Sequence, residues 1–522
     1  MSFRRVGGLC AVALATILWV SCGEVYRPVV IPVNSTPPNP ANFHEVFGIS
    51  SNIPSNLGSA LQIDVSGDTN IGAASMGVNP THGLITPNFA RVLIASAGSL
   101  YPGGSDVVTS FTPATAGSTG TGLGTPTTFT YPNFGPNLGG APQWSCSYLP
   151  DFVATTQTAV AFVANYGVDG DPNCAANLAS TDSVSVLSIA TTTIGLISYL
   201  PAGSHPVALA ETANAQNLYV VNQGNGTVQD MSPLDLSLIG APIPVGNTPV
   251  WAVARPDNQR VFVLTQGDGT LVTIDTATNT VLNTQSVGAG ANFLLFDQHL
   301  NRLYVTNPVS GTVFVFAATG GANDTPVLLS SISMTAGSNP PCASACSPVS
   351  VAALQDGSRF YVASYQNQTS CTDPIVGSGS ACVVPMLTVF DALSMTPKAP
   401  TSTLLTGSSS ISLLMGPQFA TTPTTQFAVP AATACIPAAT YAPGTTRFRM
   451  FAVSASDNSH VYVSICDAGT IADVNTTTNS ISTGSNTPDT LVTDIVTPFS
   501  AGAAGSNNEP PPQNPIFLFS GQ

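Results

Sequence analysis

Three apolar phrases recur in one frame: Leu218-Tyr219-Val220-Val221-Asn222, Val261-Phe262-Val263-Leu264-Thr265 and Leu303-Tyr304-Val305-Thr306-Asn307. Tyr219 and Phe262 are 43 residues apart, and Phe262 and Tyr304 are 42 apart. Each copy follows a Gly-x-x-Pro-like turn and a short apolar run, and precedes a Gly-containing turn and another apolar strand. A period in the forties carrying four short strands is the mark of a β-propeller blade. The repeat therefore predicts one closed, all-β ring where 522 residues would otherwise suggest three or four domains.

Composition agrees with that ring and removes other classes. Charged residues are 7 % of the chain, yet no run of about 18 apolar residues occurs past the leader. Gly (46) and Pro (43) are dispersed, as turn-rich β structure requires. With 43 % hydrophobic residues the chain can bury a core, which argues against disorder. The net charge is −15, with one lysine, Lys398, and no basic cluster to replace the counterions of a nucleic acid.

The N-terminus reads as an export leader over 1–21: Arg4 and Arg5 precede an apolar stretch from Val6 to Val20. Its end, Ser21-Cys22-Gly23, resembles the bacterial lipobox. That resemblance implies cleavage before Cys22, acylation of its thiol and, through Gly23, sorting to an outer membrane where one exists. Several acyl chains hold a protein stably where one would not. Residues 22–42, with Pro28, Pro32, Pro37, Pro38 and Pro40, read as an extended tether, 43–500 as the propeller and 501–522 as a C-terminal tail. The end of that tail, Pro515 to Phe519, is apolar enough to dock on the propeller.

Eight further cysteines in an exported chain predict disulfides: Cys146, Cys174, Cys342, Cys346, Cys371, Cys382, Cys435 and Cys466. Nearest-neighbour pairing would join 146–174, 342–346, 371–382 and 435–466. Cys342-x3-Cys346 has no second close pair, so no zinc site is expected.

Candidate second strands centre on Gly48, Ile94, Val163, Val220, Val263, Val305, Val362 and Val463. The N-terminal segment has runs at Val46–Ile49, Ala60–Val65 and Asn70–Met76 but no inner strand. The run Asp489–Val496 reads as an inner strand without followers. Together they predict one composite blade in which the two ends of the chain close the ring. Tyr219-Val-Val-Asn222 and Tyr304-Val-Thr-Asn307 resemble the YVTN-type β-propeller repeat family, as do Gly267–Asp275 and Gly311–Phe316. The resemblance implies an exported or surface propeller, usually of seven blades. The strand count gives eight, so seven or eight four-stranded blades are expected.

Candidate chemistry is sparse. The loops entering each blade, with those between second and third strands, form one face carrying Gly203–Pro206, Gly246–Pro249, Gly337–Pro340, Gln223–Gly226 and Gln266–Gly269. Ligands favour loop faces on rigid scaffolds, which nominates His82, His205, Asn225 and Asp268. Asn165, Asn222 and Asn307 end second strands, and with Asp275 and Asp391 they read as turn caps. Asp169-Gly-Asp171-Pro-Asn173 is rich in oxygen but lacks the length and closing Glu of an EF-hand. No Gly-x-Ser-x-Gly elbow, phosphate loop or His-Glu-x-x-His occurs. The expectation is a monomeric, non-catalytic binding or scaffold protein of the cell envelope, without catalytic residues, metal or cofactor. It would be lipid-anchored in the periplasm or at the outer surface, and would recruit a protein or glycan partner. A lactonase-like propeller enzyme, which needs acidic, Arg and His residues gathered at the axis, is the alternative.

Overall fold

The structure, a computed structural model, describes residues 44–51, 57–65, 69–101, 103–114, 123–132, 147–167, 182–334, 346–368, 382–398, 410–412, 427–428, 435, 448–466, 469–476, 489–496 and 514–521. Its strands form eight antiparallel sheets, one per blade. Seven blades run outward along the chain, and their inner strands are Pro80–Ile85, Pro150–Ala154, Pro206–Glu211, Pro249–Ala254, Phe293–Asp297, Ser347–Ala353 and Met450–Ser454. These belong to blades 2 to 8. In blade 1 the strands Glu45–Ser51, Ser59–Asp64 and Thr69–Ser75 are completed by Asn514–Ser520 as the inner strand. Each inner strand packs against the next, and Asn514–Ser520 touches those of blades 8 and 2, so the ring closes.

All eight predicted second strands occupy the second position of a blade. Leu218–Asn222 is buried along its whole length, because each sheet packs on a neighbour through both faces. That is why the repeat reads as a continuous apolar phrase instead of the alternation of a half-exposed strand. Its aromatic position stays fully buried between blades, as Phe47, Phe162, Tyr219, Phe262, Tyr304, Tyr361 and Tyr462. Two of the tyrosines reach across to the following blade at equivalent turns: Tyr219 donates to Asn279 Oδ1 at 2.8 Å, and Tyr361 to Asp489 Oδ1 at 2.6 Å. Fourth strands carry the exposed edge, as in Gly195–Pro201 and Thr280–Ser286.

The ends meet as expected, but through a different strand. Thr490–Val496 is the fourth strand of blade 8, paired with Thr470–Asn475. The strand beside Glu45–Ser51 is Asn514–Ser520, with Gly48 opposite Leu518 and Phe47 opposite Phe519. Blade 8 has to fill its own outer position before the chain can pass on, so the apolar end of the tail serves as the inner strand of blade 1. A disulfide between Cys435 and Cys466, with Cα atoms 5.5 Å apart, lies at its start. There Asn514 Nδ2 donates to the Cys466 carbonyl at 2.9 Å. Cys346 is also disulfide-bonded. Cys22, Cys146, Cys174, Cys342 and Cys371, the leader, the tether, Gly337–Pro340 and the Asp169–Asn173 loop lie outside the described residues, as does the Cys382 side chain.

Candidate functional site

Six inner strands begin the same way. Pro80, Pro150, Pro206, Pro249, Pro348 and Pro515 each pair with the later part of the second strand, and the register then slips by one residue. Proline has no N–H to give the ladder, so it sits where the strand starts or bulges. The bulge sets the second residue after each proline at one level of the ring. In blades 1 to 8 this level is held by Phe517, His82, Phe152, Ala208, Trp251, Phe293, Ser350 and Phe451, judged by their partners along the second strands.

Six of these eight side chains are rings, and they form a closed circuit. Ring centres are 3.7 Å apart for His82–Phe152, 5.7 Å for Phe152–Trp251 and 5.5 Å for Trp251–Phe293. The circuit continues at 5.4 Å for Phe293–Phe451, 4.4 Å for Phe451–Phe517 and 4.7 Å for Phe517–His82. Phe448, just before the inner strand of blade 8, packs edge-on against Trp251, Phe293 and Phe451 from within. Edge-to-face contacts of this kind are worth about 0.5–1.5 kcal/mol each beyond area burial. The axis is plugged by aromatic side chains.

Above the plug opens a cavity of about 850 Å³. Its floor is Trp251, Phe293 and Phe451, and its wall is the position two residues further along the inner strands: Val253, Leu295, Ala352, Val453 and Phe519. Successive residues of a strand face opposite ways, so this position points the same way as the plug. Blades 5 to 8 and blade 1 contribute. At the mouth stand Asp297, Gln298, His299, Gln355, Ser454 and Ser520. Asp297 is engaged by its own turn, accepting N–H bonds from His299 at 2.9 Å and Leu300 at 3.2 Å. The result is a blind funnel with an apolar interior and an amide and hydroxyl rim.

The funnel opens on the face opposite the one nominated from the sequence, at the turns between inner and second strands. On the nominated face the loops bind one another. Gln223 N–H donates to the His205 carbonyl, Gly203 N–H to Asn222 Oδ1, and Gly290 N–H to the Gln266 carbonyl. Asn307 Nδ2 donates to the carbonyls of Val287, Gly288 and Ala289, while its Oδ1 accepts from Val309 and Ser310. Asn165 donates to Ser183 and Ser185, and Asp275 and Asp391 cap their turns. Of the four nominated residues, Asn225 accepts from Thr227 Oγ1, and Asp268 holds the backbone and side-chain amides of Asn247, which keep its carboxylate below the usual range. His205 stacks on Tyr166 at 4.1 Å, bonds the Tyr166 carbonyl and lies 4.0 Å from Asp182. His82 is a correction: it lies inside the inner strand of blade 2, buried in the plug, with Nδ1 accepting from Val153 N–H at 3.4 Å. The structure does not bring the four together. Counting two residues past an inner-strand proline would have found His82, Phe152, Trp251 and Phe517 from the sequence, but not Phe293 or Phe451, whose strands lack that proline.

Among the described residues no group of three or more His, Cys, Asp and Glu is placed to hold a metal. One strongly perturbed carboxyl belongs to Glu45, whose backbone carbonyl accepts the N–H of Gly521, next to the mouth residue Ser520. Burial in blade 1 pushes Glu45 up to about 8, against the opposing hydrogen bond from Gln62 Nε2. Gln62 also exchanges two bonds with the backbone of Ala114 in the loop of blade 2.

No family model matches the chain, and no curated protein matches it. Solved structures do. It is similar to the dihydro-heme d1 dehydrogenase NirN, solved in complex with DHE, with a TM-score of 0.51 and 9% identity over 91% of this chain and 74% of that one. It is also similar to the periplasmic gluconolactonase PpgL of Pseudomonas aeruginosa, with a TM-score of 0.47 and 13% identity over 68% of this chain and 94% of that one. At these identities the likeness speaks to the β-propeller fold alone.

Proposed function

We propose that this chain is a non-catalytic binding propeller of YVTN type, held at a cell-envelope membrane, with the axial funnel as its ligand seat. The observation that carries the reading is the funnel's construction: a floor of aromatic rings, an aliphatic wall, and at the rim one carboxylate already committed to its turn. Such a cleft excludes water and offers orientation through a few polar groups, which suits retention of a ligand. Hydrolysis of a lactone asks for a positioned base and a group that stabilises the oxyanion, and the rim supplies neither as a pair. The full chain should leave five- and six-membered lactones at their solvent rate. A rate above it that disappears in Asp297→Asn or His299→Gln would establish the enzyme instead.

The membrane attachment rests on Arg4, Arg5, the apolar leader and Ser21-Cys22-Gly23. Cys22→Ala should move the protein from the membrane to the soluble fraction. Retention of that variant in the membrane fraction would remove the anchor from the proposal.

A further inference from the structure

We infer that the funnel takes an uncharged, mainly apolar small molecule with its polar end at the mouth, an assignment that rests on the funnel being the ligand seat. Charge is the first ground. Of the residues lining the cavity only Asp297 and His299 can ionise, and no Lys or Arg is among them. A carboxylate, phosphate or sulfonate would enter with no counter-charge, beside Asp297 and within a chain of net charge −15. A cation would have to give up its hydration in an otherwise apolar cavity to reach Asp297, which is buried and whose Oδ1 is held by two turn N–H groups.

Polarity by depth is the second ground. The plug-level and wall-level residues that line the cavity carry aromatic and aliphatic side chains, and the hydrogen-bonding side chains of the lining stand at the mouth; Ser350, at the plug level of blade 7, accepts Ala452 N–H and does not line the cavity. A free oligosaccharide would have to bury hydroxyls against Leu295, Val453 and Phe519, which costs free energy for each unpaired group. The amides of Gln298 and Gln355 at the mouth can pair with a single hydroxyl, ester or amide. A cavity of about 850 Å³ falls within the range of sites for compact ligands of this kind.

Two probes of nearly the same body separate the grounds. N-phenyl-1-naphthylamine is neutral, and 1-anilinonaphthalene-8-sulfonate adds one negative charge. Trp251, on the funnel floor, serves as energy-transfer donor to either. The full chain should bind the neutral probe once per molecule, with at least tenfold weaker binding of the sulfonate. Leu295→Gln and, separately, Val453→Trp should each weaken the neutral probe at least tenfold, with the far-ultraviolet dichroism and melting midpoint checked for each. Leu328→Gln, on the exposed outer strand Val327–Ser333, should leave it unchanged. Equal binding of both probes, with the funnel variants still weakening them, would overturn the uncharged class and leave the funnel as the seat. Binding untouched by the funnel variants, or lost in Leu328→Gln, would overturn the seat itself.

Discussion

Glu45 carries a consequence for pH. Its carboxyl is buried beside Gln62, and the strand it begins pairs with the closing strand, where its carbonyl accepts Gly521 N–H. The folded state holds a proton up to about pH 8, whereas the unfolded chain releases it near 4.5, the ordinary value for a glutamate. The native state thus binds more protons between these values, so stability is full below about 4.5 and falls as pH rises through about 8. Melting midpoints should decline across that window, and Glu45→Gln, which keeps the protonated shape, should flatten the decline. An unchanged slope in the variant would show that Glu45 is not its source. Asn307 makes a second case. It is fully buried and satisfies three carbonyls and two N–H groups, so Asn307→Ala should cost about 2–3 kcal/mol in urea unfolding. Asn225→Ala, at an exposed turn, should change stability by less than about 0.5 kcal/mol. The capping role of Asn307 was legible because it recurs with Asn222 at one place in the repeat. The burial of His82 was not, because a histidine beside a turn looks the same whether it faces water or an aromatic ring.

The strand Asn514–Ser520 decides how firmly the ring is shut. It buries Ile516, Phe517 and Leu518 and covers the whole edge of Glu45–Ser51. Removing residues 514–522 should cost several kcal/mol, seen as a large drop in melting midpoint with Trp251 emission as the probe, since Phe517 belongs to the same aromatic circuit. A truncated chain that melts like the intact one would contradict the closure. The Cys435–Cys466 bond closes a 31-residue span beside that strand, and chain-entropy reasoning assigns such a loop about 3–4 kcal/mol. Cys466→Ala should lose about that much against guanidinium. The 435–466 pairing was readable from nearest neighbours, while the identity of the closing strand was not. Asp489–Val496 and Asn514–Ser520 are both short strand-like runs, and only the demand of blade 8 for its own outer strand separates them.

The ring itself was written plainly, because one buried aromatic position recurs through most of the blades and the number of second strands equals the number of blades. The weak repeat before residue 160 left seven or eight open, since blade 2 has Leu93 where others have Tyr or Phe. The funnel had no such signature. Its lining comes from five separate segments spread between Trp251 and Ser520, and no local window contains more than one of them. Closure by a distant strand also sets a timetable. Gly48 waits for Leu518, 470 positions later, and every other blade is made in between. The equilibrium cost of so long a loop grows only logarithmically, but the wait during synthesis grows with each residue added. The first sheet produced is therefore the last one finished, and its bare backbone edge is open meanwhile to proteases and to the same strand of a sister molecule. How quickly the end of the chain is delivered, more than how well any blade holds, governs the length of that hazard.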